Sequence, residues 1–268
     1  MDERAANIPP REEEPPALSV IIPTLDEARS IGRTLDALAG ARGVEVIVVD
    51  GGSHDATAEI ARGRGARLLT SERGRGLQMH AGACAARGEA LWFVHADTRP
   101  SAECAARIAE ALGDPAVVAG NFEVLFDGAS RAARFLTWLY PRLRRLGLCY
   151  GDSAIFVRRE AYQRAGGFRA FPVFEDLDLL RRLRKEGRVV HLDASVKTSS
   201  RRFEGRSFAL TFARWSILQA LYWLGVHPRT LGRMYAPVRA AGARPGRREG
   251  RTRLAAERVQ ADAGREEA

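Results

Sequence analysis

Cysteine is scarce in this sequence, with three residues at widely separated positions (Cys84, Cys104 and Cys149) and no CxxC pair. Such spacing argues against a structural zinc site and against a disulfide framework, and it suits a reducing compartment. The first ten residues are charged and rich in proline, and they lack the apolar stretch of a secretory signal. We therefore expect a cytoplasmic protein.

Acidic residues are outnumbered, with 33 Asp and Glu against 42 Lys and Arg, so the net charge is +9. Residues 1–16 are acidic and proline-rich, which predicts a disordered leader, and the composition of residues 236–268 predicts a basic, disordered tail. The charges of these two segments cancel, so the predicted domain, residues 17–235, carries the whole +9. A basic domain favours anionic partners such as nucleotides, phosphates, nucleic acid or an acidic membrane surface.

Short apolar runs alternate with helical periodicity through the first 112 residues. Strands are predicted at residues 18–22, 44–49, 67–70 and 91–94, and helices at 30–39, 56–64, 74–87 and 101–112. This alternation predicts an α/β fold with a right-handed, Rossmann-like, mostly parallel sheet flanked by helices. Residues 121–126 alternate between apolar and polar side chains, which predicts a smaller antiparallel part after the parallel one.

Acidic residues follow three of the predicted strands. Glu27 comes after the first strand, Asp50 ends the second and Asp97 follows the fourth. The carboxyl ends of parallel strands share one edge of the sheet, where ligands of such folds bind. Asp97, with His95 as a second ligand two residues earlier, suits a divalent cation that holds a diphosphate. Asp50 is placed to accept the N–H groups of uracil or guanine, and Glu27 to contact base or ribose.

Two of these acidic residues also have a purely structural interpretation. Asp97 is a candidate cap for the helix predicted near Ser101, or a turn residue with Thr98. Asp50 precedes Gly51, which is typical of a turn. The sequence by itself leaves both interpretations open.

Five motifs occur in an order that resembles the motif set of family 2 glycosyltransferases. They are Ser19–Glu27, Val48–Asp55, Gly74–Met79, His95–Asp97 and Glu175–Asp176. The resemblance extends from about Leu18 to Tyr235, and residues 151–159 and 200–203 resemble a small bacterial branch of that family. It implies the GT-A fold, a UDP- or GDP-sugar as donor, Mn²⁺ or Mg²⁺ as cofactor and inversion at the anomeric carbon. The expected enzyme is a hexosyltransferase of class EC 2.4.

The resemblance also assigns roles to individual residues. It places these residues at the donor nucleotide: Pro23, Thr24, Leu25, Glu27, Asp50, Arg75, His95, Ala96 and Asp97. Asp97 and His95 are the expected metal ligands, although the family's usual acidic DXD is His-Ala-Asp here. The second motif also has Asp-Gly where the family has an acidic pair, which leaves only Asp50 to bind the base. Gly151, Asp152 and Arg202 are expected on the acceptor or diphosphate side, in the antiparallel part.

Asp176, with Glu175 as the second candidate, is the expected general base that takes the proton of the acceptor hydroxyl. A carboxylate at the start of a helix stays charged because the helix N-terminus is its positive end. The alternative is an acidic cluster at the protein surface that serves only the helix dipole, which is the role expected of Asp178.

Two further stretches concern partners. Residues 131–145 combine arginine with aromatic residues and are predicted to be interrupted at Pro141. Residues 207–226 are apolar almost all round, but polar residues such as Arg214 make a membrane-spanning helix unexpected. The helix either packs against the sheet or contacts a membrane interface. Together the two stretches predict a lipid or glycolipid acceptor at an anionic membrane surface, with the protein peripheral on the inner face of the membrane.

Two other functions remain as alternatives. A sugar-phosphate nucleotidyltransferase of similar fold would carry a basic, Gly-rich loop after the first strand, and Pro23–Glu27 does not provide one. A basic nucleic-acid-binding module would not need carboxylates at strand ends. We therefore expect no nucleic-acid partner.

Overall fold

The computed structural model describes residues 16–128, 130–145, 153–201 and 208–234. The strands are β1 Leu18–Thr24, β2 Val44–Asp50, β3 Arg67–Thr70, β4 Ala90–Phe93, β5 Thr98–Pro100, β6 Val117–Phe126, β7 Phe156–Arg158 and β8 Arg188–Thr198. The helices are α1 Ile31–Leu38, α2 Thr57–Gly63, α3 Arg75–Ala85, α4 Cys104–Leu112, α5 Arg131–Arg145, α6 Arg159–Arg164, α7 Glu175–Leu183, α8 Phe208–Trp223 and α9 Pro228–Met234. The predicted leader and tail, apart from residue 16, lie outside the described residues and stay predictions.

Eight strands of the described residues form one sheet in the order β3-β2-β1-β4-β7-β6-β8-β5. The first four are parallel to one another. Strand β7 runs antiparallel to both β4 and β6, β5 runs antiparallel to β8, and β6 pairs parallel with β8. The predicted α/β class, with a parallel part followed by a part that contains antiparallel strands, is therefore confirmed.

The apolar runs of the central strands supply a core on each face of the sheet. All seven residues of β1 are buried. Val20 and Ile22 join one hydrophobic cluster, while Ile21 joins the other. Strand β4 behaves in the same way, with Trp92 in the first cluster and Leu91 in the second. A strand covered on both faces needs apolar residues at every position, which explains the uninterrupted runs in the sequence.

Helix α3 packs unusually close to β1 and β2 because Gly82 faces them. A Cβ atom at Gly82 would lie 2.4 Å from Cγ2 of Ile21 and 2.9 Å from Cγ2 of Val49. No residue larger than glycine fits without displacing these side chains. This contact fixes the helix against the strands whose carboxyl ends carry the candidate site.

One expectation about the second half of the chain was wrong. Helix α5 continues through Pro141, because Ala133 and Leu136 bury it in the core and outweigh the one helical hydrogen bond that a proline removes. Most of α8 is exposed or half-buried, since only Leu218 and Gln219 are buried, and it packs against Phe174 and Leu177 through Leu218 and Trp215. The short elements β5, α6 and α9 were not predicted because three to seven residues show too little periodicity.

Candidate active site

The candidate donor residues lie where the parallel strands end. In the register of β1 and β2, Thr24 pairs with Asp50, and each is the last residue of its strand. Strand β4 runs parallel to β1, so the His95–Asp97 segment that follows it begins at the same edge. The backbone oxygen of Ala96 accepts a hydrogen bond from the Thr34 hydroxyl at 2.8 Å, which ties this segment to α1.

The Asp50 carboxylate is occupied by the turn that follows it. Its Oδ2 accepts hydrogen bonds from the backbone N–H groups of Gly52 (3.2 Å) and Ser53 (3.0 Å). Its Oδ1 accepts from the hydroxyls of Ser53 and Thr24. Asp50 is only 7% exposed. These contacts favour the structural role for Asp50, and its contact with a nucleotide base stays a prediction.

The loop after β1 is held in shape by the start of α2. The Asp26 N–H donates to the Ser53 hydroxyl at 2.9 Å, and the Glu27 N–H donates to the Thr57 hydroxyl at 2.8 Å. Asp26 itself has a φ of 54°, in the left-handed region that non-glycine residues rarely adopt. Such strain persists only where the surroundings fix it, and it occurs often at functional sites.

Gln78 holds the ends of β1 and β2 together, and it was not assigned a role from the sequence. Its Nε2 donates to the backbone oxygens of Thr24 (2.7 Å) and Val49 (2.9 Å), and its side chain is buried. Gln78 lies inside the Gly74–Met79 motif, so the motif was the signal that pointed to it. Its contacts show that the motif positions the edge of the sheet as well as providing Arg75.

Arg201, which follows β8, connects two of the three acidic loops. Its Nη2 donates to Glu27 Oε1 and lies 3.2 Å from Asp97 Oδ2. Its Nη1 donates to the Ser30 hydroxyl at 3.2 Å. Burial raises the pKa of Glu27 above its ordinary value, although the Arg201 guanidinium opposes that shift. The sequence pointed to the segment around Arg201 but assigned the role on the acceptor or diphosphate side to Arg202, which lies outside the described residues.

The residues at this edge fit a divalent cation that is shared with a diphosphate. The Glu27–Asp97 pair already accommodates the positive guanidinium of Arg201. In the part of the chain that the structure describes, Glu27 Oε2 is buried and has no hydrogen-bond partner. No group of three or more His, Cys, Asp or Glu side chains there forms a complete protein metal site. One or two carboxylates plus substrate phosphates are the usual ligands of Mg²⁺, and Mn²⁺ also accepts imidazole.

The second part of the candidate site is the start of α7. Glu175 and Asp176 are 1% and 4% exposed, so the alternative of an acidic cluster at the surface is wrong. Arg75 Nε donates to Glu175 Oε1, which joins the first residues of α3 and α7. Asp176 Oδ1 accepts from the Leu177 N–H at 2.8 Å. Phe174, just before them, has a φ of 61°, which is a second left-handed residue beside candidate site residues.

Asp178 was expected to lie at the protein surface and to interact only with the helix dipole. The structure shows that this expectation was wrong. Asp178 is 2% exposed, and its carboxylate binds Arg182 at 2.7 Å, Arg169 at 3.4 Å and Arg181 at 3.6 Å. A buried carboxylate needs such partners because an unpaired buried charge is costly. Asp178 therefore serves the packing of α7.

The predicted acceptor-side residues Gly151, Asp152 and Arg202 lie outside the described residues. Ala154, two residues after Asp152, has a φ of 52°. Together with Asp26 and Phe174 it is one of three non-glycine residues with a left-handed backbone in the described part.

Comparisons with known proteins address the fold and the family. The model of the family "Glycosyl transferase family 2" matches residues 19–168, which is more than half of the chain. No curated protein matches the chain.

Several solved structures share the fold. The mannosyltransferase PcManGT from Pyrobaculum calidifontis, in complex with GDP-Man and Mn²⁺, is 22% identical with a TM-score of 0.60, over 87% of this chain and 68% of that one. Glucosyl-3-phosphoglycerate synthase from Mycobacterium tuberculosis, in complex with Mn²⁺, UDP and glucosyl-3-phosphoglycerate, is 21% identical with a TM-score of 0.54. The match covers 79% of this chain and 81% of that one. S. aureus TarS 1-349, in complex with UDP-GlcNAc, is 19% identical with a TM-score of 0.56, over 72% of this chain. This chain spans only 60% of the length of that TarS chain. These likenesses confirm the predicted GT-A fold.

Proposed function

The chain belongs to glycosyl transferase family 2, and from this premise we propose that it transfers a hexosyl residue from a UDP- or GDP-sugar to an acceptor hydroxyl, with inversion and with Mn²⁺ or Mg²⁺ as cofactor. Membership of the family supports a glycosyltransferase of class EC 2.4. The donor, the metal and the stereochemical course are parts of the proposal.

The observation that carries the proposal is the convergence of Glu27, Asp97 and Arg201 at the carboxyl edge of the parallel strands. Two carboxylates that now share the Arg201 guanidinium, with one buried oxygen without a partner in the described chain, are suited to hold a divalent cation in its place together with the diphosphate that the cation neutralises. Two proteins of the same fold were crystallised with Mn²⁺ together with GDP-Man or UDP. This supports a nucleotide-diphosphate donor and a divalent metal.

In the proposed mechanism Asp97 and His95 would hold the metal ion. When bound, the ion stabilises the negative charge of the departing diphosphate. Asp176 accepts the proton of the acceptor hydroxyl while the hydroxyl oxygen bonds to the anomeric carbon and the bond from that carbon to the diphosphate breaks. The N-terminus of α7 favours the ionised form of Asp176. Glu175 is the weaker candidate for the base because its carboxylate is already paired with Arg75.

A thermal-shift panel of UDP, GDP and their sugars, with and without MnCl₂, tests the proposal. A ligand at a hundred times its dissociation constant stabilises the native protein by about 2.7 kcal/mol. We expect a nucleotide to raise Tm further with Mn²⁺ than without it, and Asp97→Ala to remove the metal-dependent part. The matched control is Glu110→Ala, an exposed acidic residue on α4 whose loss leaves the response intact. If Mn²⁺ increases the nucleotide-induced rise in Tm of Asp97→Ala as much as that of the wild type, Asp97 is ruled out as a metal ligand.

A further inference from the structure

Helices α5 and α8 expose large apolar side chains. On α5, Phe135 and Trp138 are 40% and 53% exposed. On α8 and the residue after it, Ile217 is 57% exposed, Trp223 62% and Leu224 80%. Single exposed apolar residues are ordinary on protein surfaces, but a group of them on neighbouring elements marks an interaction site.

The exposed residues of α8 form a stripe along the helix. Leu210, Ala213, Ile217, Ala220 and Leu224 are all exposed. They recur every three or four positions, so they lie on one side of the helix. The side of a helix that faces water is normally polar, whereas this stripe is apolar, with the exposed polar residues Arg214 and Ser216 beside it.

Aromatic contacts join α5 to Phe208 and Phe212 of α8, and we call the exposed surface of these two neighbouring helices the α5–α8 face. The Phe135 ring lies edge-on to those of Phe208 and Phe212, with centroids 5.7 and 6.1 Å away. The Phe135 ring also stacks on Trp138 at 5.8 Å. The Arg142 guanidinium lies 3.9 Å above the Trp138 ring, which places a positive charge on the same face.

The two stretches of sequence that include α5 and α8 contain arginine but no acidic residue. Residues 128–151 contain five arginines and residues 205–235 contain four, and neither segment contains an acidic residue. Their charges together equal the whole +9 of residues 17–235, so the rest of the domain is neutral. The arginines at positions 131, 134, 142 and 214 are exposed.

We propose that the α5–α8 face lies on the surface of an anionic lipid bilayer. The apolar stripe and Trp138 enter the interfacial region, while the arginines bind phosphate head groups. No helix of the described residues is long and apolar enough to cross a membrane, so the contact is peripheral. A second copy of the chain fits less well, because two faces that carry only positive charge repel each other.

The opposite side of α8, away from the exposed stripe, is connected to the candidate base. The ring of Phe174, the residue before Glu175, packs against Trp215 at 6.0 Å and Tyr222 at 4.9 Å, both on α8. A chain docked through α8 therefore holds the start of α7 close to the lipid surface, where a lipid or glycolipid acceptor would be found. The docking itself does not depend on the proposed function, and only this statement about the acceptor rests on it.

Flotation of the full chain with phosphatidylcholine vesicles, with and without phosphatidylglycerol and at low and high NaCl, tests the docking. We expect binding that requires phosphatidylglycerol and weakens with salt. The triple variant Arg131→Gln, Arg134→Gln, Arg142→Gln should bind roughly a hundredfold more weakly, or about fivefold per arginine. Ile217→Asp combined with Leu224→Asp should also lose binding, and both residues are exposed enough for the fold to tolerate the change.

The charge-matched control is Arg33→Gln, Arg42→Gln, Arg62→Gln, three exposed arginines outside both segments. This variant should keep most of the binding. No binding to anionic vesicles at low salt, or an equal loss in the control triple, would overturn the proposal. Light scattering that shows a wild-type dimer dispersed by Ile217→Asp would assign the face to a second copy instead. The nucleotide thermal shift of each variant reports on the donor site separately, so the failure of one proposal is distinguishable from the failure of the other.

Discussion

Arg201 and a divalent cation are expected to compete for the same carboxylates, and Arg201→Gln tests this directly. In the structure the guanidinium occupies the position between Glu27 and Asp97 where a metal ion would be attracted. Removing its charge leaves two acidic side chains close together without a cation. We therefore expect the variant to bind Mn²⁺ more tightly than the wild type in the absence of nucleotide.

The size of the effect follows from the geometry. Opposite unit charges separated by the 3.2 Å between Arg201 Nη2 and Asp97 Oδ2 attract by about 5 kcal/mol at an effective dielectric constant of about 20. The Arg201 side chain is 43% exposed, so solvent screening reduces its net contribution to about 1–2 kcal/mol. That range corresponds to Mn²⁺ binding that is roughly 5- to 30-fold tighter in the variant.

Isothermal titration of MnCl₂ into the nucleotide-free protein measures this affinity without any need for turnover. Asp97→Asn should weaken binding, and the matched control Arg164→Gln should leave it unchanged. Arg164 forms a comparable surface ion pair with Glu186, at 2.9 Å, on other elements of the fold. Equal or weaker Mn²⁺ binding by Arg201→Gln would refute the competition and the assignment of these carboxylates to the cation.

Two further predictions concern single carboxylates. Asp176→Asn should keep the nucleotide-induced thermal shift while sugar transfer falls by roughly 10²–10⁴-fold; substantial remaining transfer would move the base elsewhere. Burial raises the pKa of Glu45, but hydrogen bonds from Ser19 and Arg87 outweigh burial, and the pKa is lowered overall. Because the pKa of Glu45 is lower in the folded protein than in the unfolded chain, the ionised carboxylate stabilises the fold at pH values above the unfolded-state pKa. This stabilisation is lost as the pH falls through the folded-state pKa. Urea unfolding of Glu45→Gln should therefore show a loss of about 1–3 kcal/mol near pH 7 that shrinks toward pH 3; a loss of equal size at both pH values would contradict the assignment.

The parallel half of the sheet was predictable from local sequence. The runs at β1, β2 and β4 are apolar at consecutive positions because alternate residues enter cores on opposite faces, as Ile21 and Ile22 do. Parallel strands of this kind must be joined by crossovers, so their carboxyl ends share an edge. The location of Glu27, Asp50 and Asp97 at that edge followed from this, and the order of the five motifs indicated the family.

The contacts that give the candidate site its chemistry were decided by the tertiary structure. The Arg201–Glu27 contact joins residues 174 positions apart, and the Arg75–Glu175 contact joins residues 100 positions apart. Such pairs depend on the strand order β4-β7-β6-β8, which local periodicity does not encode. The environment of Asp178, buried among arginines rather than exposed, depends on the same packing.

The exposure of α8 was also decided by the tertiary structure. Its sequence is apolar on almost every side, so periodicity alone could not distinguish a core helix from one at the surface. Only its position beside α5 and Phe174 shows which residues are buried and which form the α5–α8 face. The physical reason is that the sequence of a helix specifies how apolar each side is, whereas the arrangement of its neighbours determines which sides are covered.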